Sequence, residues 1–285
     1  MKPKSKIILA AFFLLPFSGL FAQGNVLDGV YVKEHAPQRK VIPYAPLREA
    51  DVMWSKRIWR TVDLREKINH DLYYPEVPAN GRKSLMQVIW DGVTKDGSIT
   101  AYDDALGTIA GDFDQSPILA RDSVITKFNR IETQEIPNPD NPEEMLTKEI
   151  QIDFEPSQVK SFRIKEDWFF DKQRSVMDVR IIGIAPVLDK TMEDGTVVPQ
   201  TMFWIYFPEL RFSLVNAEVY NRFNDAERRT YEDIFWKRKF SSFIYKESNV
   251  YDRKISQYAK GLDALLEAEK IKDDMRNFEH DLWEY

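Results

Sequence analysis

The residues that could carry chemistry fall in three places. Lys95-Asp96-Gly97-Ser98-Ile99-Thr100-Ala101-Tyr102-Asp103 places Asp-Gly, then an apolar residue two positions on, then an acid four further along. That order copies the second half of an EF-type calcium loop. With Gly97 as the sixth loop position, however, the first and third fall on Gly92 and Thr94. Those positions must supply carboxylates to hold Ca²⁺, so a plain Asp-Gly turn is the better reading. Asp112 and Asp114 form a close acidic pair of the kind that could act as acid and base in a glycosidase. Spacing along the chain says nothing of their separation in space, and solvated loop acids are far commoner. His35, His70 and His280 are scattered, with no H-E-x-x-H spacing, and no G-x-S-x-G elbow is present. With no cysteine in the chain, thiolate zinc sites, a cysteine nucleophile and disulfides are all excluded. We assign no catalytic, cofactor-binding or metal-binding residue.

The elements that would position such residues begin after Met1 to Ala22, which reads as a secretory signal peptide. Lys2, Lys4 and Lys6 form its charged region and Ile7 to Leu20 its apolar core. The core is too short to span a bilayer and contains Pro16, and no lipobox cysteine follows it. An exported protein with no membrane span of its own is expected. Net charge is −6 and becomes more acidic without the three leader lysines, which argues against nucleic acid as a partner. Lacking disulfides, the fold must rest on its core; 43% hydrophobic residues, with seven Trp and eighteen Phe, suffice.

Residues 23–47, punctuated by Pro37, Pro43 and Pro46, read as an extended N-terminal arm in which Val30-Tyr31-Val32 and Val41-Ile42-Pro43-Tyr44 could pair with a sheet edge or a neighbouring subunit. Residues 48–135 read as a helical N-terminal part. Trp54, Ile58 and Val62 recur at i, i+4 and i+8, which predicts a helix within Glu49–Asn69. Asp63-Leu-Arg-Glu66 has the form of a capping box for a second short helix carrying Leu64 and Ile68, with His70 at a helix terminus. Ser84 to Val93 reads as a short apolar helix, whereas Val124-Ile-Thr-Lys-Phe128 alternates like a strand. The Pro-rich loop 136–145 marks a hinge or a boundary.

Residues 146–285 read as a sheet followed by helices. Val159 to Val215 alternates apolar and polar residues in successive runs, Phe162 to Phe170, Met177 to Ile181 and Met202 to Phe207, so it predicts an antiparallel meander. Pro186 is expected to end the second strand, and Leu210-Arg-Phe212-Ser-Leu214 reads as a further edge strand. Tyr231 to Phe240, continuing to Ile244, and a final stretch with Ile255, Ala259, Leu262, Leu266, Ile271, Met275, Phe278 and Leu282 read as helices, weakened at Gly261. Asp51 to Ile58 and Asp233 to Phe240 echo one another. The expected class is α+β: an antiparallel meander over about 159–215 packed with N-terminal and C-terminal helices, in two parts or as one continuous domain, 48–285.

Four stretches carry a resemblance to a known family. They are Arg48-Glu-Ala-Asp-Val-Met-Trp-Ser-Lys-Arg-Ile-Trp with Asp63-Leu-Arg-Glu-Lys-Ile-Asn; Lys165-Glu-Asp-Trp-Phe-Phe-Asp-Lys-Gln-Arg-Ser-Val-Met; Asp233-Ile-Phe-Trp-Lys-Arg-Lys-Phe-Ser-Ser; and Gly261-Leu-Asp-Ala-Leu-Leu-Glu with Phe278-Glu-His-Asp-Leu-Trp-Glu-Tyr. Together they make the chain similar to the GldN family of the Bacteroidetes, also called PorN, of the type IX secretion and gliding-motility apparatus. The resemblance implies a periplasmic scaffold without catalysis. It also implies a ring of copies built with an outer-membrane lipoprotein of the GldK or PorK type and touching a shaft protein of the GldM or PorM type. It carries over no catalytic residues and no cofactor. Trp54, Trp59, Trp236, Phe278, Trp283 and Tyr285 are the expected interface residues, because aromatic side chains dominate interface energetics. The alternative is a periplasmic carbohydrate binder or glycoside hydrolase in which Trp54, Trp59 or Trp168 stack on sugars and Asp112 and Asp114 supply acid and base.

Overall fold

The computed structural model describes residues 39–104, 113, 116–137, 145–192, 194–224 and 226–282, with side chains outside 130–151. The signal-peptide stretch, His35, Asp112, Asp114, Trp283 and Tyr285 lie outside the described residues, as do positions 138–144 of the Pro-rich loop.

An antiparallel sheet organises the molecule. Its main path runs β10 (Phe243–Glu247), β1 (Val52–Asp63), β6 (Ser161–Asp171), β7 (Val176–Thr191), β9 (Trp204–Tyr206), β2 (Ala101–Tyr102) and β3 (Ile118–Leu119), and β8 (Val197–Thr201) also pairs with β7. The meander is therefore present as expected, in an α+β fold. The strands β4 (Arg130–Pro137) and β5 (Met145–Ile152) form a separate two-stranded ladder, in register from Arg130 opposite Ile152 to Pro137 opposite Met145.

β1, which lies next to the edge strand β10, is where a helix was expected. β1 is bonded along one edge to β6 and along the other to β10. A spacing of four satisfies both periods, since Trp54, Ile58 and Val62 share a helix stripe but equally share one face of a strand. Lys56 and Arg60 complete that face. Their charged ends are matched by Glu247 at 2.6 Å and Glu166 at 3.1 Å, so the inward alternation is masked by paired charges. Trp59 points to the opposite face and is buried there with Ala185 and Trp204.

The same ambiguity explains the other corrections. Val124 and Phe128, four apart, belong to a helix, α3 (Arg121–Phe128), in which the Thr126 hydroxyl donates to the Asp122 carbonyl. Leu210 to Leu214 is helical within α4 (Phe207–Leu214). Pro208 lies in its first turn, and Phe207, Leu210, Arg211 and Leu214 are buried at i, i+3, i+4 and i+7 while Phe212 is exposed. Ile244 lies in β10, not in a helix. Pro186 does not end β7. Its carbonyl accepts from the Met202 N–H where the neighbour of β7 changes from β9 to β8, so the absent proline N–H falls at the break between two partners. The echo is not a duplicated helix, because Asp51 to Ile58 leads into β1 whereas Asp233 is the third residue of α5 (Tyr231–Trp236).

Helices stand within Ser84 to Val93 and Tyr231 to Phe240 as expected, with caps that the sequence reading did not assign. α2 (Leu85–Asp91) is capped by the Ser84 side chain, and Thr230 and Asp233 close a reciprocal capping box on α5. Asp63 makes no such box. Its carboxylate accepts from the Arg65 N–H at 2.9 Å and turns the chain before α1 (His70–Tyr73), which starts at His70. α6 (Leu262–Asp281) begins after Gly261, whose φ of 59° breaks the expected stripe. Ala268, Ile271 and Met275 face Ile58 and Ile244, whereas Leu262, Leu265 and Leu266 are exposed. The larger core gathers α2, α4 and α5 under the other end of the sheet, around Phe162, Ile164, Ile184, Phe203 and Phe207.

Candidate interaction surfaces

Two aromatic and cationic constellations lie beside the sheet, with Arg238 lining the cavity at each. The first seats the described end of the N-terminal arm. Residues 39–48 run without regular structure and are gripped by their carbonyls: Arg211 donates to Ile42 and Arg180 to Ala45, each at 2.6 Å. Tyr44 stacks on Trp236, centroids 5.7 Å apart, with the Arg211 guanidinium 4.2 Å and that of Arg180 5.1 Å from its ring centre. Burial, only partly offset by Arg211, pushes the Tyr44 hydroxyl above its ordinary pKa. Arg211 is itself fixed by buried Glu232 at 2.6 Å, and Arg39 reaches Asp233 at 3.0 Å. Each cation lying over a ring contributes about 0.5–2 kcal/mol according to its desolvation, so Tyr44 is the anchor of the arm.

The second constellation lies in the seam between the sheet and α6. Trp54 stacks on Phe278 with centroids 4.7 Å apart, which brings two expected interface residues together within one chain. Beside them Glu166 is fully buried and accepts from Arg60, from Arg238 at 2.8 and 3.1 Å, and from Trp168 Nε1 at 3.0 Å. Both guanidiniums lie over Trp168, 5.6 and 5.5 Å from its ring centre. Burial lowers the Arg60 pKa despite Glu166, as expected where two cations share one carboxylate. A cavity of about 460 Å³ opens onto this group.

The expected interface residues thus separate. Trp54 and Phe278 pack on each other, Trp59 is core on the opposite face under the Lys246 ammonium at 4.5 Å, and Trp236 is about half exposed beside Tyr44. Arg180, Arg211, Glu166 and Arg238 were not named as interface residues from the sequence, and the Val41 to Tyr44 run, read as able to pair with a sheet edge, forms no strand and is held by arginine side chains instead. The available signal was a charge at an inward position of an apolar strand, as Glu166 is between Ile164 and Trp168. The three tryptophans offered for sugar stacking are engaged by the protein's own side chains.

The acidic residues near the Asp-Gly turn are also committed. Asp91 accepts from Lys83 and Lys95 at 2.6 and 2.8 Å, Asp103 from Lys127 at 3.0 Å, and Gly97 has the positive φ of a turn. Among the described residues no group of three His, Asp or Glu is placed to hold a metal ion. On the Trp59 face, Asp104 lies against Thr201 and Trp204, and burial raises its carboxyl pKa, while Lys254 nearby is lowered by burial and by Arg163. The Arg163 guanidinium bonds Thr201 and covers Tyr245, so the cluster ties the ends of β2, β8 and β10 together. His70 meets Tyr74 edge to face, and His280 lies far along the chain in the last turn of α6.

What these features define is an α+β protein whose large aromatic residues are held by cations and whose buried charges are paired. The family model for gliding motility associated protein GldN matches residues 47–284, so the chain belongs to the GldN family and is a component associated with gliding motility. No individual curated protein matches it. No helix among the described residues is long and apolar enough to cross a membrane.

Proposed function

We propose that this protein is a periplasmic structural component of the type IX secretion and gliding machinery and turns over no substrate. In this reading it is exported by the leader at Met1 to Ala22 and is held at the outer membrane by a lipoprotein of the GldK or PorK type. Copies close into a ring with that lipoprotein and touch a shaft protein of the GldM or PorM type. The observation that carries the reading is the extent of the family match, 47–284, which takes in the arm seat, the sheet and α6 alike. Two observations support it. Large aromatics are held by cations, and an array of leucines on α6 is left uncovered. A heterologous contact repeated with a closing rotation makes a ring.

The test is deletion of the gene with complementation. Loss of both surface gliding and export of secreted enzymes is expected, restored by the intact chain but not by one without its leader. Normal gliding and secretion in the deletion strain would refute the assignment.

A further inference from the structure

Arg238 belongs to both constellations. It lines the cavity of about 400 Å³ beneath the arm and the cavity of about 460 Å³ at the seam, and its guanidinium donates to the buried Glu166. Two residues before it, Trp236 receives the Tyr44 ring. The backbone that joins them is a closed turn. After α5 the Arg238 N–H donates to the Phe235 carbonyl at 3.1 Å and the Lys239 N–H to the Ile234 carbonyl at 2.9 Å. Those two bonds make a Schellman turn, in which glycine is the usual residue at the position of positive φ. Here that residue is Arg238, at a φ of 50°. A long side chain in the left-handed region is strained, so its surroundings must hold it there. The hold is Glu166, with the rings of Trp168 and Phe240 beside the guanidinium at 5.5 and 5.4 Å.

We propose that the Trp236-Lys237-Arg238 turn couples the arm to the seam, so that the two constellations tighten and loosen together. While Glu166 holds the Arg238 side chain, the turn keeps Trp236 in place for Tyr44. When that hold is lost the strained turn relaxes, the Trp236 ring shifts, and the arm loses the surface on which Tyr44 stacks. The coupling is reciprocal, as linkage requires. The grips of Arg180 and Arg211 on the arm come from β7 and α4, outside the turn, so a shift of Trp236 weakens the seat without abolishing it. Met275 and Arg276 of α6 line the same seam cavity as Arg238, which brings the packing of α6 into the linkage. A contact that steadies the seam therefore secures the arm, and one that draws the arm away loosens α6.

Limited proteolysis and deuterium exchange on the full chain read the two ends. Glu166 does not line the cavity beneath the arm, yet Glu166→Gln should quicken cleavage near residues 39–47 about tenfold. Leu85→Ala, a cavity variant in the core around α2, supplies the control of comparable instability and should leave that cleavage unchanged. Tyr44→Ala alters only the arm and is expected to fold. In it, exchange of the α6 amides between Ala268 and Met275 should rise by a similar factor with the urea midpoint unmoved, since local opening lies below global unfolding. Arg238→Gly suits the turn and leaves Glu166 paired with Arg60, so it separates backbone from side chain. In that background Tyr44→Ala should no longer change α6. Arm cleavage in Glu166→Gln no faster than in Leu85→Ala, α6 exchange untouched by Tyr44→Ala, or an effect on α6 that persists with Arg238→Gly would each overturn the coupling. Should Glu166→Gln fail to fold, the Tyr44 and Arg238 variants decide the matter alone.

Discussion

Glu166 is the residue on which the seam depends. A carboxylate at zero exposure is tolerable only because two guanidiniums and an indole N–H surround it, and removing one member of such a group leaves uncompensated charge in the interior. Glu166→Gln keeps the shape but strands Arg60 and Arg238. We expect it to cost about 3–5 kcal/mol in urea unfolding, where a loss below about 1 kcal/mol would show the network to be dispensable. Asp91 gives a pH dependence. Burial pushes its carboxyl up, but hydrogen bonds from Lys83, Lys95 and Gln87 outweigh that and hold it below the ordinary value. A depressed folded-state pKa contributes stability that is complete above the unfolded value and lost as pH falls through the folded one. The urea midpoint should therefore fall below about pH 4, and Asp91→Asn should flatten that acid limb while lowering the neutral plateau. An unchanged acid limb would remove Asp91 from the account.

Among the elements, β1 and the arm make opposite claims about order. β1 is hydrogen-bonded on both edges, so the amides of Ile58 to Val62 should be among the slowest to exchange with deuterium. Rapid exchange there would contradict its pairing on both edges. The arm is held by two carbonyl contacts and by Tyr44 between cations. Tyr44→Ala should release it at a cost on the order of 2 kcal/mol, about thirtyfold in the open population, read as faster proteolysis near residues 39–47 with the core unfolding unchanged. The meander and the helices α2 and α5 were legible because period two and apolar residues at helical spacing are local signals, whereas the one capping box read from the sequence, at Asp63, does not form. β1, α3 and α4 were not legible, because residues four apart satisfy strand and helix together, and only long-range pairing decides between them. The arm seat was hidden for a related reason. Tyr44 is one aromatic in an irregular stretch, and the arginines that hold it come from β7 and α4, more than a hundred residues away.

For the whole molecule, the resemblance carried by four short stretches and the family match over 47–284 agree on what the chain belongs to. The reading of Phe278 as a docking residue needs adjustment, since its ring already stacks on Trp54; truncation should therefore begin after Leu282 to spare the seam. The central claim is that the protein exists to be assembled, and the most direct measurement is the mass, by light scattering, of the purified full chain co-expressed with the lipoprotein of the GldK or PorK type proposed as its partner. The account predicts one large species holding many copies of both proteins. A chain that stays monomeric beside that lipoprotein, at concentrations where both are folded, would contradict it.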